Sequence, residues 1–453
     1  HTLLPLLTAG AGVLFMRSVG RALPVPRYAV YGASKAALAG FARSLRVELA
    51  ENSGFTIKKS GRQVRQKPIA VQVIHPGATR TAMHTKSGMP LEAANWQRFS
   101  PPERVAKQIV DASAGDKPVT TIGIGNRLLH SASRYVGGAL DRIGVRIEAQ
   151  QTGAPSPSTP NFTPSSTTVR HCTITGGADG IGRAVAERYA RAGWVVTLID
   201  RDSARAEALC HAITNASGVA HSIVADLAEP EGVAAVLQQL AALPPIDIFV
   251  NSAGISAVGR FATLPFAQQQ HVLDINLRAP LQLTAGLLQR ELLAPQATLV
   301  FIASLSVFTS YPGAAAYAAS KDGLAAYARS LRVALARSHI NVLTVFPGPT
   351  RTAHARRYSP DNRRETQRMP PAHLAELLYA AVERRSGVLV PGAANRLIAT
   401  IGRIAPAFTE YLMRKTILDK LPPGDIPVVS IEGQSIGSLL SEPDPLAWLW
   451  PPR

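Results

Sequence analysis

Tyr317 and Lys321 have residue types and a spacing suited to acid–base chemistry. They lie four positions apart in the helical stretch AYAASKDGLAAYA, so they share one face of a helix, a turn apart. A phenol with a pKa near ~10 is a poor base at neutral pH, and an ammonium group beside it favours the phenolate. Ser304 lies thirteen residues before Tyr317 and can donate a hydrogen bond to a substrate oxygen. Such a pair by itself is more often a solvated helix face, so its surroundings matter.

A glycine-rich segment, TITGGADGIGRAV, follows an apolar run and opens a helix at about Ile181. Gly176, Gly180 and Gly182 would let the backbone turn sharply and approach a pyrophosphate that faces the helix N-terminus. Asp200 ends the next apolar run, where a carboxylate can accept both ribose hydroxyls of an adenosine. The order indicates a dinucleotide site, and a purely structural turn is the alternative.

The charges around this segment favour NAD as the cofactor. A 2′-phosphate at the ribose would meet Asp200 and also Asp179 beside the glycines. Arg201 argues the other way, because a guanidinium could pair with that phosphate. Two carboxylates against one guanidinium favour NAD, and NADP is not excluded.

The elements that would position these residues are short apolar runs that alternate with amphipathic helical stretches. Apolar strands without polar alternation predict a parallel sheet that is covered by helices on both faces. The runs are HCTIT, WVVTLID, AHSIVAD, IDIFVNS, ATLVFIAS, INVLTVFPG and GVLVPG.

The chain also contains a repeat. YGASKAALAGFARSLRVELA from Tyr31 matches YAASKDGLAAYARSLRVALA from Tyr317, and later motifs match at slightly smaller offsets. The first copy has only three strands, GVLFMRS, AVQVIHPG and VTTIGIG, and an insertion between Glu51 and Pro68 that reads as a basic, solvated loop. The expected organisation is a partial unit over 1–148, a Pro/Ser/Thr linker over 149–168, a complete catalytic unit over 169–416 and a tail over 417–453.

Half of such a sheet would leave the edge of its first strand unpaired. We therefore expect either that the natural chain continues upstream of His1 or that the first copy needs a partner to cover that edge.

Composition excludes several classes of protein. The net charge is +18, but residues 1–150 carry most of it, so the high pI says little about what the catalytic unit binds. The sequence has no basic patch interleaved with aromatic residues, which is the pattern that indicates nucleic-acid binding. The basic insertion is the feature that favours the nucleic-acid hypothesis.

Cys172 and Cys210 form no CxxC motif, and no metal site is expected. No apolar run reaches the ~18 residues of a membrane helix, and we expect a soluble, cytoplasmic protein.

The ordered motifs TGGADGIG, NSAG, DINL, YAASK and PGPTRT resemble those of the short-chain dehydrogenase/reductase superfamily. The resemblance implies a Rossmann-type doubly wound α/β fold and hydride transfer between a nicotinamide cofactor and a secondary alcohol or ketone. Tyr317 would be the general acid/base and Ser304 would steady the substrate oxygen. Lys321 would lower the tyrosine pKa and hold the ribose, and Asn276 would anchor a water relay.

The resemblance also implies a set of cofactor contacts spread over six segments of the chain. They are Gly176, Asp179, Gly180, Ile181, Gly182, Asp200, Arg201, Asp226, Leu227, Asn251, Ala253, Gly254, Tyr317, Lys321, Pro347, Gly348, Thr350 and Thr352. Ser252 departs from the family, which usually has Asn there, and Ala303 stands where a second serine is common.

The first copy repeats part of this site, in Ser18, Tyr31, Lys35, Pro76, Gly77 and Thr81. It has no glycine loop, ribose carboxylate or equivalent of Asn276, so we expect it to be inert. A compatible hypothesis is a scaffold in which the first copy docks on the second through the two Tyr–Lys helices and forms a pseudo-dimer within one chain. Homo-oligomerisation remains the alternative.

The substrate is less defined. Six arginines between Pro347 and Met369 could suit an anionic substrate or have no ligand. The amphipathic stretch AANRLIATIGRIAPAFTEYLMRK could be an entrance lid or a membrane-surface helix, and helical packing near the substrate mouth is the more common role.

Overall fold

A computed structural model describes residues 11–17, 28–51, 56–59, 62–65, 69–81, 99–115, 117–128, 169–359 and 361–420. The strands within these ranges are β1 (Gly12–Met16), β2 (Thr56–Lys59), β3 (Arg62–Arg65), β4 (Ala70–His75), β5 (Val119–Thr121), β6 (His171–Thr175), β7 (Val195–Asp200), β8 (Val219–Val224), β9 (Ile246–Asn251), β10 (Leu293–Ile302), β11 (Asn341–Val345) and β12 (Val388–Leu389).

The α-helices are α1 (Ala29–Glu51), α2 (Pro102–Ser113), α3 (Gly180–Arg191), α4 (Ser203–Asn215), α5 (Pro230–Leu240), α6 (Phe266–Leu273), α7 (Ala279–Gln289), α8 (Ser306–Thr309), α9 (Ala315–Ala334), α10 (Ala353–Tyr358), α11 (Pro371–Glu383), α12 (Ala393–Ile404) and α13 (Pro406–Thr416). A π-helical turn spans Asp274–Arg278, and 3₁₀ turns span Ala336–Ser338, Glu365–Gln367 and Leu418–Lys420.

The larger sheet has seven parallel strands in the order β12-β11-β10-β9-β6-β7-β8. The order reverses between β6 and β9, as in a doubly wound sheet, where the carboxyl ends of the strands leave a crevice for a ligand. Every apolar run predicted for this unit forms a strand, and the predicted Rossmann-type α/β fold is confirmed.

Helices bury both faces of this sheet. On one face, α3 and α11 pack against the central strands through residues such as Val185 and Leu378, which are fully buried with Leu198. On the other face α5, α7 and α9 cover Phe249 and Leu299. Burial on both faces is the reason that the strands lack polar alternation.

The first copy forms a second, three-stranded parallel sheet in the order β1-β4-β5. This order repeats that of β10, β11 and β12. Local details repeat too, since Thr79 bridges Ser100 as Thr350 bridges Met369. Among the described residues β1 pairs with β4 along one edge, and its Leu14 is 38% exposed.

The basic insertion of the first copy was expected to be a loop, and this expectation is wrong. Residues Thr56–Lys59 and Arg62–Arg65 pair as an antiparallel hairpin, β2-β3. Half of the residues in each strand are lysine or arginine, so the apolar pattern that marks a strand in sequence is absent.

The two copies touch through their Tyr–Lys helices. Gly32 of α1 lies near Ser330 of α9, whereas Gly40 lies near Ala318, so the two helices run in opposite directions. Ala33 and Ala36 are buried in this contact region, where small side chains allow a close approach of the helices.

The linker, the tail beyond residue 420 and Ser18 lie outside the described residues. No helix of the described part is long and apolar enough to cross a membrane.

Candidate active site

The carboxyl ends of the larger sheet open into a cleft of about 1850 Å³. Most of the residues that sequence reasoning assigned to the cofactor or to catalysis line it: Gly176, Asp179, Gly180, Ile181, Asp200, Arg201, Asp226, Leu227, Ala253, Gly254, Ser304, Tyr317, Lys321, Pro347, Gly348, Thr350 and Thr352. Gly182, Asn251 and Asn276 lie behind this surface. The structure therefore brings together motifs that are up to about 180 residues apart in sequence.

The glycine loop has a backbone that other residues would not adopt easily. Gly176 has φ +63° and Gly180 has φ +56°, in the left-handed region. A Cβ on Gly176 would lie 2.8 Å from the Cα of Ala253, so a side chain would not fit there. Asp179 caps α3 by accepting a hydrogen bond from the Gly180 backbone N–H at 2.7 Å. The loop thus presents close-packed backbone and a helix N-terminus to the cleft.

Asp200 is fixed at the end of β7. Its Oδ2 accepts from the Ala178 N–H at 3.0 Å, and its Oδ1 accepts from the Asp202 N–H at 3.2 Å. Sequence reasoning missed Arg205, which lies between Asp179 at 3.6 Å and Asp202 at 3.3 Å. This end of the cleft therefore has three carboxylates beside the exposed guanidinium groups of Arg201 and Arg205.

Two further observations test whether a dinucleotide would fit. The Asn251 side chain is 2% exposed at the end of β9, and both its amide atoms lack a protein hydrogen-bond partner. The neighbouring Ser252 and Ala253 N–H groups are held by Thr175 Oγ1 at 3.1 Å. An unsatisfied buried amide beside a close-packed glycine loop fits a polar ligand at this position.

Asp226 and the PGPTRT segment shape the two ends of the cleft. The Asp226 Oδ1 accepts from the Ala228 N–H at 2.8 Å. Thr352 caps α10, since its Oγ1 accepts from the Ala355 N–H at 3.0 Å, and Thr350 pairs with Met369. These contacts fix the cleft-facing backbone from Pro347 onwards.

Ser304, Tyr317 and Lys321 meet at the centre of the cleft. Tyr317 and Ser304 share a side-chain hydrogen bond. The Ser304 Oγ also accepts a hydrogen bond from the Ser306 N–H at 3.1 Å, which holds the hydroxyl beside Tyr317. The Lys321 Nζ donates to the Ile302 carbonyl at 2.9 Å and lies 5.8 Å from the centroid of the Tyr317 ring.

Burial shifts the titration of both groups of this pair. It raises the pKa of the Tyr317 phenol, and the hydrogen bond with Ser304 offsets part of that rise. It also lowers the pKa of the Lys321 ammonium to about 8. Desolvation therefore sets the direction of the shift in both groups, and the predicted lowering of the Tyr317 pKa by Lys321 stays a prediction.

Asn276 lies in the π-helical turn between α6 and α7 and is fully buried. Its side chain accepts from the Ile255 N–H at 2.9 Å, and its Nδ2 donates to the Ile255 carbonyl at 2.9 Å and to Ser320 Oγ at 3.0 Å. A Cβ on Gly254 would lie 3.3 Å from both Asn276 Oδ1 and Lys321 Nζ. Asn276 therefore fixes the segment that passes beside Lys321, and π-helical turns are frequent at functional sites.

Sequence reasoning missed two aromatic neighbours of Tyr317. His354 lies 6.3 Å from it between ring centroids and 4.8 Å from Tyr358. Burial, with Lys321 and Arg357 nearby, lowers the pKa of His354 to about 4, so its ring is neutral at pH 7. Burial raises the pKa of Tyr311, 5.9 Å from Tyr317, to about 12. The sequence offers one signal for His354, which is that the two copies differ here. The aligned residue of the first copy is Met83.

The first copy keeps only local parts of this arrangement within the described residues. Lys35 lies 5.7 Å from the Tyr31 ring centroid. Gly77 has φ +77° and packs near Asn126, much as Gly348 packs near Asn395. The other assigned positions, Pro76 and Thr81, lie on the same segment after β4, and none of these residues lines the large cleft.

Comparisons with known proteins identify the family. The family model for short chain dehydrogenase matches residues 1–90 and 170–363. The chain is 33% identical over 177 residues to 3-oxoacyl-(acyl-carrier-protein) reductase of Aquifex aeolicus, covering 39% of this chain and 71% of the relative. It is 29% identical over 214 residues to oxidoreductase UcpA of Escherichia coli strain K12, covering 47% and 80%.

Among solved structures, a short-chain dehydrogenase from Sphingobium yanoikuyae in complex with NADPH is 27% identical. It matches 53% of this chain and 96% of its own chain, with a TM-score of 0.47. The chain belongs to the short-chain dehydrogenase family. It is an oxidoreductase of the class that acts on CH–OH or C=O groups with NAD or NADP.

Proposed function

We propose that the unit from residue 169 onwards transfers a hydride between a nicotinamide cofactor and a secondary alcohol or ketone, with Tyr317 as the general acid/base. The observation that carries this proposal is the meeting of Ser304, Tyr317 and Lys321 at one end of a cleft whose other end has the glycine loop. The nicotinamide ring supplies or accepts the hydride when the cofactor is bound.

Each group of the protein has a defined part in this proposal. Tyr317 gives a proton to the substrate oxygen, or takes it, and Ser304 donates a hydrogen bond to that oxygen. Because the pKa of Lys321 is about 8, this amine can gain or lose a proton close to neutral pH. Asn276 holds the backbone beside Lys321 and would anchor the water relay. His354 stays neutral and adds no competing positive charge near the phenol.

The proposed cofactor is NAD, with NADP as the alternative. The acceptor oxygens of Asp200 are fixed at the end of β7, and Asp179 and Asp202 lie around Arg205. A ribose with two hydroxyls can donate to Asp200, whereas a 2′-phosphate would lie among three carboxylates. The residues that would hold the pyrophosphate are the backbone groups of Gly176 to Gly182.

The proposed role of the first copy is a non-catalytic docking partner. Its helix α1 packs on α9, so the pair would imitate a dimer within one chain. This role is compatible with catalysis in the second copy, and the described half-sheet supplies no glycine loop of its own.

The test is a titration of the full chain with NAD(H) and NADP(H), followed by turnover assays with a panel of steroid, acyl and sugar alcohols. We expect tighter binding of NAD(H) and turnover of at least one secondary alcohol. Tighter binding of NADP(H) would contradict the cofactor assignment. Normal cofactor binding without turnover of any alcohol or ketone would contradict the proposed reaction.

A further inference from the structure

The second half of α1 contacts the walls of the cleft in the other copy. Arg43 donates to the Val307 carbonyl of α8 at 3.0 Å. Ser44 Oγ accepts from the Tyr311 N–H at 3.2 Å, and Arg46 pairs with Glu410 of α13 at 2.7 Å. Each contacted element contributes residues to the cleft: Ser306 and Thr309 from α8, Tyr311 itself, and Met413 and Thr416 from α13.

Glu48 makes the most specific of these contacts. Glu48 is 5% exposed, and its side chain contacts two segments of the other copy. The Oε1 accepts from the Gly313 N–H at 2.8 Å, and the Oε2 accepts from the Phe261 N–H at 2.7 Å. Charge-assisted bonds from a buried carboxylate to backbone N–H groups are among the stronger hydrogen bonds of proteins.

The two segments held by Glu48 adjoin residues that line the cleft. Gly313 lies two residues after the cleft-lining Tyr311, and Phe261 follows the segment 252–256, which also lines the cleft. The segments are joined to each other by a hydrogen bond from the Gly259 N–H to the Gly313 carbonyl at 2.9 Å. Glu48 therefore fixes the junction of two walls from outside the catalytic unit.

The repeat shows that this contact distinguishes the two copies. At the 286-residue offset of the two helices, Arg43 aligns with Arg329, but Glu48 aligns with Ala334. A second catalytic unit that packed through the same helix would offer a methyl group in place of the carboxylate. The Gly313 and Phe261 N–H groups would then lose this acceptor, which is costly for buried donors.

We propose that residues Arg43, Ser44, Arg46 and Glu48 form an active-site brace, in which Glu48 is a positioning residue that sets the substrate side of the cleft. The first copy, although it carries out no reaction, is a part of the active site of the second. The occupant that best fits this face of α9 is thus α1 of the same chain rather than a second catalytic unit.

Hydrogen exchange of the full chain, followed by mass spectrometry, tests the brace without any substrate. In Glu48→Ala, peptides that contain Phe261 and Gly313 should exchange about tenfold faster than in the wild type, because these amides lose their acceptor. Glu48→Gln, which keeps the shape and one acceptor oxygen, should give a smaller increase. The matched control is Glu103→Gln on the exposed surface of α2. Unchanged exchange at both peptides in Glu48→Ala would overturn the proposal.

The kinetic arm rests on the proposed function. With a substrate that the wild type turns over, Glu48→Ala should raise KM roughly tenfold. The cofactor Kd should change less, because the hydrogen bonds that fix Asp200 come from Ala178 and Asp202 rather than from the brace. A loss of active enzyme with unchanged KM would indicate general destabilisation and would also overturn the brace. If the wild type turns over no substrate, the proposed function fails, and hydrogen exchange still decides the brace.

Discussion

Tyr31–Lys35 of α1 and Tyr317–Lys321 of α9 have the same local arrangement. The Nζ–ring distances are 5.7 and 5.8 Å, and each lysine donates to the carbonyl of the last residue of the preceding strand, Met16 at 3.3 Å and Ile302 at 2.9 Å. Helix geometry and the position of the strand produce this arrangement in both copies.

The surroundings of the two pairs differ. Lys321 is 4% exposed on α9, which packs against a seven-stranded sheet whose strand β6 leads into the glycine loop. Lys35 is half-buried beside a three-stranded sheet whose first strand has an exposed Leu14. A Tyr–Lys motif alone therefore does not make a site. Desolvation and a cofactor cleft come from the strands and helices that the described part of the first copy does not contain.

Substitution of the two tyrosines tests the comparison most strongly. Tyr317→Phe should lower kcat by about 10³-fold, because the proton donor or acceptor is lost while the ring remains. Tyr31→Phe should leave kcat unchanged. The measurement is initial rates with the cofactor saturating, on the full chain in each case. Substantial NAD-dependent turnover in Tyr317→Phe would show that the first copy is active or that another group moves the proton.

Substitution of Arg43 tests whether the contact between the two copies stabilises the protein. The Arg43–Asp322 pair is 2.7 Å long, and the Asp322 side chain is 1% exposed next to Lys321 in sequence. Arg43→Met should lower the free energy of unfolding by about 3 kcal/mol, because it leaves a buried charge without its guanidinium partner.

The control for this variant is Arg183→Met, in the exposed Arg183–Glu187 pair of α3, with an expected loss of about 0.5 kcal/mol. Denaturant unfolding of both variants measures the difference. Equal losses in the free energy of unfolding would mean that the Arg43–Asp322 contact between the copies contributes little to stability.

Lys321→Met should abolish most of the activity and yet stabilise the fold at pH 7. The folded pKa of about 8 lies below the usual 10.5, so the folded state binds fewer protons than the unfolded state between these values. The cost of burying the ammonium is therefore complete below pH 8 and disappears as the pH rises to 10.5.

At pH 7 the gain in the free energy of unfolding should be roughly 2 kcal/mol, and it should shrink above pH 8. Lys35→Met, at the half-buried position of the first copy, is the comparison variant and should change stability less. A gain that does not depend on pH would show that packing, rather than the charge, causes it.

The smallest expected effect concerns His354, whose counterpart in the first copy is Met83. The folded pKa of about 4 lies below the usual 6.5, so the wild type should lose stability as the pH falls from 6.5 towards 4. His354→Phe, which keeps an aromatic ring beside Tyr317 and Tyr358, should not show this loss. At pH 5 the variant should be more stable than the wild type by about 1 kcal/mol, measured by thermal unfolding. Identical acid profiles would contradict the assigned neutral state.

Much of the fold was predictable from the sequence. The seven apolar runs of the second unit and the three of the first all form strands, since a short apolar run is a local signal. The β2-β3 hairpin was not predictable, because its basic residues carry no apolar pattern. The glycine loop, Asp200 and the Tyr–Lys pair were found because their spacing along the chain is fixed by the geometry of one βα unit or one helix.

What the sequence determined by itself is the content of each local unit: a glycine turn at 176–182, a carboxylate at the end of β7, and a tyrosine and a lysine one helical turn apart, present twice. The tertiary structure decided which of the two pairs is buried, that His354 lies against Tyr317, that Arg205 lies between two carboxylates, and that Glu48 reaches Phe261, 213 residues away. The physical reason is that desolvation and hydrogen bonding to a distant backbone depend on packing between elements, which no spacing along one element specifies.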